Sequence, residues 1–472
     1  MPVPVISVAQ MREWEKVTWA SGPTEEAVIR QAGQAIARKA EQLTRPGDSI
    51  LVLAGRGHNG DDACVAGESL SGRTAKVVRV TDPEATSREL DTLLRQRPAL
   101  IIDGLFGIGL NRALSVSWIR LLQRINLAEM PILSVDVPSG LNADTGMPLE
   151  ETIRASHTLT LGAVKQGLIQ STAWPFVGRL DVAPVIGLVP YPFTTEISWT
   201  VATDFADWPP SRAVATHKGS FGHVVLVAGS LGYHGAAVLA ARGSQRAQPG
   251  LISLLTVEAV YEPVAAQLQS VMVKPWNERE ALPESCTAVV IGPGLASPDL
   301  PGSFKEFTAQ LWREARLPVV VDASALDWLP QGPCPHQAVR VITPHPGEAG
   351  RMLKRSAAEV QRERPQALRT LSRFWGGCCV VLKGHQTLIG CEKEDLFVNG
   401  SGNPQLAQGG SGDLLAGFLG GLLAQPLLQA DPLKTIRYAV WQHGSAADVL
   451  QQRRANWTIE DLAATLGDVR PG

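Results

Sequence analysis

The sequence has no excess of basic residues. Its 43 Lys and Arg stand against 45 Asp and Glu in 472 residues, a formal net charge of -2. Without a cationic footprint, nucleic acid is not an expected partner. Cysteine is scarce: the six are single apart from the adjacent Cys378 and Cys379. No CxxC pair exists, so zinc ribbons and thiol redox motifs are excluded, and the thiols read as buried groups of a reducing compartment. The chain does not open on a basic start followed by an apolar core, so export is not expected and the cytoplasm is. Its longest apolar run near the C-terminus, Leu414 to Ala424, falls short of the roughly 20 residues a membrane span needs. That run reads as a buried helix, and no membrane partner is expected. GxxxxGK[ST] is also missing, which excludes a P-loop NTPase. Heptads, solenoid periods and low-complexity tracts that would favour a scaffold are absent too.

The chain does contain two successive series of short apolar runs. Ile50–Ala54, Lys76–Val80, Ala99–Ile102, Ile132–Val135 and Thr158–Leu161 read as parallel strands, separated by stretches of helical length such as Ala63–Leu70 and Ser117–Ile125. Between Tyr191 and Ala215 the pattern breaks into proline-rich polar sequence, as expected of an interdomain connection. Val224–Ala228, Ala288–Ile291, Pro318–Val321, Val339–Ile342 and Cys379–Leu382 then restart the alternation. The expectation is an α/β protein of two domains, residues 1–200 and 201–472. The first is a Rossmann-like doubly wound sheet, with its site at the C-terminal ends of the strands.

In the front half, Gly55, Gly57 and Gly60 satisfy the dinucleotide fingerprint, with Asp82 about where a ribose-binding acid would lie. Asp61 and Asp62 follow at once, near the start of a helix, where they would repel a pyrophosphate, so an ordinary NAD site is disfavoured. Three strand ends instead offer oxygen: His58–Asp62, Asp103–Gly109 and Asp136–Asn142. Side-chain oxygens from Asn59, Asp103 and Ser139, with nearby carbonyls, suit a hard cation, and Asp136 stays free for proton transfer.

The segments VDVPSGLNADTG and DGLFGIGL resemble the signatures of the NAD(P)H-hydrate epimerase family, over about Met11 to Leu188. The resemblance implies that Asn59, Asp103 and Ser139 bind potassium. It also implies that the hydrate is contacted by His58, Asn59, Gly60, Asp61 and Asp62, by Gly107, Ile108, Gly109, Leu110, Asn111, Arg112 and Ala113, and by Asp136, the candidate base. His58, Asp61 and Ala63 depart from the usual pattern.

In the back half, Asn403–Asp413 leads a glycine-rich loop into the apolar run, and exposed amides at such a helix start can cradle phosphate oxygens. Asp413 is placed to take a proton from a hydroxyl attacking phosphorus. HKGSFGHVVLVAGS, IGPGL, TPHPGE, VVLKGHQT and GGSGDLLAG resemble, in order, the motifs of the ADP-dependent NAD(P)H-hydrate dehydratases over about Ala213 to Leu466. The resemblance implies a ribokinase-like fold. It implies adenine-nucleotide contacts from Lys383, Gly384, His385, Gln386, Thr387 and Gly412, a hydrate site lined by Ala237, Gly294 and His345, and Asp413 as the catalytic group. Ala296, Ser324, Gln405 and Gln408 depart from the pattern. Magnesium is expected with the ADP.

The expected activity is therefore repair of hydrated NADH and NADPH: epimerisation of the R and S hydrates, then ADP-driven dehydration of the S form. The partners are these small molecules, and a homo-oligomer is expected. The rivals are a ribokinase-like vitamin kinase and, for the front half, a degenerate interaction domain.

Overall fold

The computed structural model describes residues 2–277, 281–334 and 338–471. It divides into two compact units, Val3–Thr195 and, apart from the first two residues, Glu196–Gly472.

The first unit is built on a six-stranded sheet in the order Thr74–Arg79, Ser49–Ala54, Leu100–Gly104, Ile132–Val135, His157–Leu161, Arg179–Ala183. Every pairing in it is parallel. Successive side chains of a strand point to opposite faces, and the buried residues follow that rule. Ile50, Val52 and Ala54 pack with Ile36 of helix Glu25–Leu43 and Ala63 of helix His58–Ser69. Leu51 and Leu53 pack with Leu90 of helix Pro83–Arg95 and Leu122 of helix Val116–Leu127. Burial on both faces explains why these strands read as unbroken apolar runs. From Ser49–Ala54 the chain goes first to one neighbour, Thr74–Arg79, and then to the other, Leu100–Gly104. The strand order therefore reverses at the C-terminal ends of Ser49–Ala54 and Leu100–Gly104, where such sheets open a crevice. Gly55 lies in that crevice, and a Cβ there would sit 2.0 Å from the Leu105 carbonyl oxygen, so the close approach of the two loops requires glycine. A short strand pair, Val3–Ile6 with Val164–Lys165, completes the unit.

In the second unit the order is Met272–Pro275, Leu251–Thr256, His223–Val227, Ala288–Ile291, Val319–Val321, Arg340–Ile342, Cys379–Leu382, all parallel. Thr387–Gly390 and Leu396–Asn399 add antiparallel to it, and Ile197–Thr200 pairs parallel with the latter. The apolar run expected near the C-terminus is helix Ser411–Leu423, buried at every residue from Leu414 to Leu423. A helix apolar all round belongs inside, and it packs with helices His234–Ala247 and Pro432–Arg453.

Two readings need correction. The stretch from Tyr191 to Ala215, expected as an irregular connection, contains strand Ile197–Thr200. Four residues among prolines show no period to detect. Helix Ala63–Leu70 begins earlier, at His58, with Gly57 as its cap, so His58–Asp62 is not a loop but the first turn and a half of a helix.

Candidate active sites

In the first unit a cavity of about 1160 Å³ opens at the strand-order reversal. All seven residues Gly107–Ala113 line it, as do Asp136 and, from His58–Asp62, His58, Asn59 and Asp62. Gly60 lies beneath the surface, where a Cβ would fall 2.2 Å from the Gly55 carbonyl oxygen. Asp61 turns away to pair with Arg79 at 2.8 Å. His58 Nε2 meets Glu25 Oε1 at 2.7 Å. Asp82 accepts from the Glu84 amide at 2.9 Å as the cap of helix Pro83–Arg95, which accounts for it without a ribose.

Asp136 follows strand Ile132–Val135 in the left-handed region, φ 64°, a conformation that short polar residues tolerate best. Its Oδ1 accepts from Thr160 Oγ1 at 3.0 Å, from the Leu161 amide at 2.9 Å and from Lys165 Nζ. No bond from a described residue falls on Oδ2, the oxygen left for a ligand. Lys165 escaped the sequence reading. Its side chain has no solvent exposure, and Nζ also donates to the Leu161 carbonyl at 2.7 Å. Three further carboxyls line the same cavity: Glu15, Asp62 and Glu25, the partner of His58. Burial, reinforced by Asp136 and other acids, pushes Asp62 up to about 8, and burial likewise raises Glu15. At neutral pH Asp62 therefore carries a proton.

Asp103, Ser139 and Asn59 meet around the Phe106 peptide. Asp103 Oδ1 accepts from Ser139 Oγ at 2.6 Å, and Oδ2 accepts from Ser134 Oγ at 2.9 Å and the Ser139 amide at 3.0 Å. Ser139 Oγ takes the Phe106 amide at 2.9 Å. Asn59 donates from Nδ2 to the Phe106 carbonyl at 2.9 Å, which leaves Oδ1 toward Gly107, 3.3 Å from where a Cβ would sit. Oδ1 of Asp103 also accepts from the Leu105 amide at 3.3 Å. Asp103 is fully buried, and burial raises its pKa against these bonds. Among the described residues no cationic side chain pairs with it.

In the second unit Asp413 lies in the first turn of helix Ser411–Leu423, behind Gly410 at φ 96°. Lys383, at the end of strand Cys379–Leu382, crosses to Asp322 Oδ1 at 2.7 Å and stands 4.0 Å from Glu348. Asp322 Oδ1 also accepts from Thr343 Oγ1 at 2.7 Å. A Cβ on Gly412 would sit 3.3 Å from Lys383 Nζ, so the glycine loop presses onto the lysine. Burial, with the charges of Asp322 and Glu348, pushes Asp413 up to about 6 although Lys383 opposes the shift. Burial lowers Lys383, but these same acids outweigh it and the net shift is upward. Asp322 and Glu348, like Lys165, were not singled out from sequence.

The remaining predicted positions have the following surroundings. Lys383–Thr387 forms a tight turn with Gln386 at φ 54°, in which Thr387 Oγ1 donates to the Gly384 carbonyl at 3.0 Å. Arg364 braces it by donating to the Leu382 and Gln386 carbonyls, both at 3.1 Å, and burial lowers the pKa of His385. His345 caps helix Pro346–Leu353, its Nδ1 accepting the Gly347 amide at 3.0 Å. Ala237 is fully buried, and Gly294 adopts φ 68° with its carbonyl accepting from Ser230 Oγ at 2.6 Å.

These units define a two-site α/β enzyme. One site pairs a carboxylate with a buried lysine, and the other sets a carboxylate and a lysine against a glycine-rich helix start suited to phosphoryl chemistry. Residues 224–468 match the family model described as NAD(P)H-hydrate dehydratase, and residues 25–93 and 81–167 match that of the YjeF-related protein N-terminus. The bifunctional NAD(P)H-hydrate repair enzyme of Coxiella burnetii is 32% identical, covering 93% of both chains. That of Escherichia coli is 33% identical, covering 88% of this chain and 84% of its own. The ADP/ATP-dependent NAD(P)H-hydrate dehydratase of Bacillus subtilis, co-crystallised with ATP and magnesium, is similar to the second unit. It shows 30% identity and a TM-score of 0.50, covering 55% of this chain and 92% of that one. The chain belongs to the bifunctional NAD(P)H-hydrate repair enzymes, an isomerase and a lyase in one polypeptide. No helix among the described residues is long and apolar enough to cross a membrane.

Proposed function

We propose that the Val3–Thr195 unit interconverts the R and S hydrates of NADH and NADPH, and that the Glu196–Gly472 unit dehydrates the S form at the expense of ADP. One observation supports this division best: each unit presents one carboxylate, Asp136 or Asp413, beside a lysine that holds a neighbouring oxygen. In the first unit Asp136 Oδ2 takes the proton of the ring hydroxyl. The bond between the hydroxyl-bearing carbon and the ring nitrogen then breaks, leaving an aldehyde, and the nitrogen takes a proton from Asp62. Rotation about the adjacent carbon–carbon bond and re-addition of the nitrogen give the other epimer, with both protons returned.

In the second unit Asp413 takes the same hydroxyl proton as the oxygen attacks the β-phosphorus of ADP, and AMP departs. The ring nitrogen's lone pair then expels phosphate, and loss of a proton from the neighbouring carbon restores the reduced cofactor. Asp322 and Glu348 are the carboxylates that would hold a magnesium ion accompanying the nucleotide, and the ion would offset charge on the transferred group. A cytoplasmic location belongs to the same reading.

Potassium suits Asp103: a buried carboxylate with only neutral donors around it, plus the oxygens of Ser139, Asn59 and Phe106, matches one positive charge better than two. Bound there, it would supply Asp103 with a counter-charge and fix the Gly107–Ala113 loop. Replacing potassium by tetramethylammonium at constant ionic strength is expected to lower epimerisation by about tenfold and leave dehydration of the S hydrate unchanged. An unaltered epimerisation rate would remove the cation from this site.

The whole reading is tested by giving the purified protein an epimer mixture of NADH hydrate with ADP and following the near-ultraviolet absorbance of the reduced nicotinamide. Full recovery is expected, and no recovery with ADP or ATP would end it. The pH dependence carries a sign. Asp413 works as a base only when ionised, so dehydration should fall as pH drops through about 6, where burial holds its carboxyl. A rate flat down to the ordinary carboxylate range, near 4, would show that Asp413 is not the titrating base.

A further inference from the structure

We propose that Lys165 is the positioning residue of the first unit's site: it holds Asp136 by Oδ1 and leaves Oδ2 as the single free base oxygen. The inference rests on Asp136 being that base. Lys165 belongs to the two-residue strand Val164–Lys165, whose backbone is held by pairing with Val3–Ile6. Its side chain has no solvent exposure, so its charge needs partners inside the protein. It finds three: Asp136 Oδ1, the Leu161 carbonyl at 2.7 Å and Thr160 Oγ1 at 3.3 Å. An ammonium has three donors, and all three are committed. Lys165 therefore has no proton to offer a substrate and acts through Asp136.

The charge count gives this arrangement its purpose. Asp136 shares the cavity with the carboxyls Glu15, Glu25 and Asp62 and with His58 and Arg12. Carboxyls gathered beside one buried ammonium are costly to ionise all together. The ammonium lies directly on Asp136, whereas burial pushes Asp62 up to about 8. Lys165 thereby sets Asp136 apart from the neighbouring carboxyls. Thr160 and the Leu161 amide occupy the same Oδ1, so the free oxygen is always the one left to the cavity.

The test uses the full chain. Lys165→Met keeps the length of the side chain and removes its charge. It should lower kcat for epimerisation about 10²-fold, the lower end of a general base's contribution, with KM within a few-fold of the parent. Dehydration of the S hydrate by the same preparation should be unchanged. In Lys165→Ala, ethylammonium should restore epimerisation at least about tenfold over the unrescued variant, while ethanol, a neutral filler of the same size, should not. A lysine that only filled space would be served by either molecule. Lys165→Met within about threefold of the parent rate, or equal rescue by both fillers, overturns the inference. Its failure is separable from that of the base assignment: Asp136→Asn at the parent rate breaks the underlying reading, whereas an inactive Asp136→Asn beside a fully active Lys165→Met breaks only the role of Lys165.

Discussion

Asp413→Asn is expected to abolish dehydration of the S hydrate while leaving ADP affinity within a few-fold of the parent. The amide keeps the shape of the carboxyl in the first turn of helix Ser411–Leu423, so the amides at the helix start are not disturbed. It cannot accept the hydroxyl proton, and loss of a general base costs about 10²- to 10⁴-fold in rate, roughly 3–5 kcal/mol of barrier. Removing the charge also relieves repulsion with Asp322 and Glu348, the acids that raise Asp413. If anything, folding and nucleotide binding should gain slightly. Calorimetric titration with ADP and turnover on the S hydrate measure the two effects separately. A variant that kept more than about a tenth of the rate would take the proton-transfer role away from Asp413.

The parallel strands were legible because burial on both faces writes them as uninterrupted apolar runs. Ile132–Val135, Ala288–Ile291 and Cys379–Leu382 have the bounds read from sequence. Helix Ser411–Leu423 was legible for the same reason. The hairpin Thr387–Gly390 with Leu396–Asn399 was not, because its strands are short and the turn before it is held from outside by Arg364. Acids that end strands could be singled out by motif. Their partners could not, since pairing depends on strand order. Lys165 lies 29 positions beyond Asp136 and Lys383 lies 61 beyond Asp322. Only the folded sheet brings either pair together. Glu15 comes from helix Val8–Ala20, and nothing in its local sequence shows that it lines the same cavity as Asp136. For Asp61 the motif misled: proximity in sequence suggested the cavity, but the 100° step between helix neighbours turns Asp61 out to Arg79 and Asp62 inward.

A chain with Asp136 replaced should repair only part of an epimer mixture. Asp136 and Asp413 belong to different units, so dehydration of the S hydrate should proceed at the parent rate and then stop when that epimer is spent. The R hydrate would be left to spontaneous epimerisation. The choice of substitution matters. Asp136 sits at φ 64°, where a side chain such as Ala costs roughly 1–2 kcal/mol but Asn is tolerated, and it is the partner of a fully buried ammonium. Asp136→Ala therefore combines lost chemistry with backbone strain and an unpaired buried charge, the latter worth about 3–5 kcal/mol. Asp136→Asn keeps the backbone geometry and an oxygen toward Lys165, so its loss of activity reports on proton transfer. The expected record is a fast phase equal in size to the S fraction, followed by a plateau that decays only at the uncatalysed rate. Adding a trace of the parent protein should then complete the conversion. A single phase running to completion at the parent rate would remove Asp136 from the mechanism.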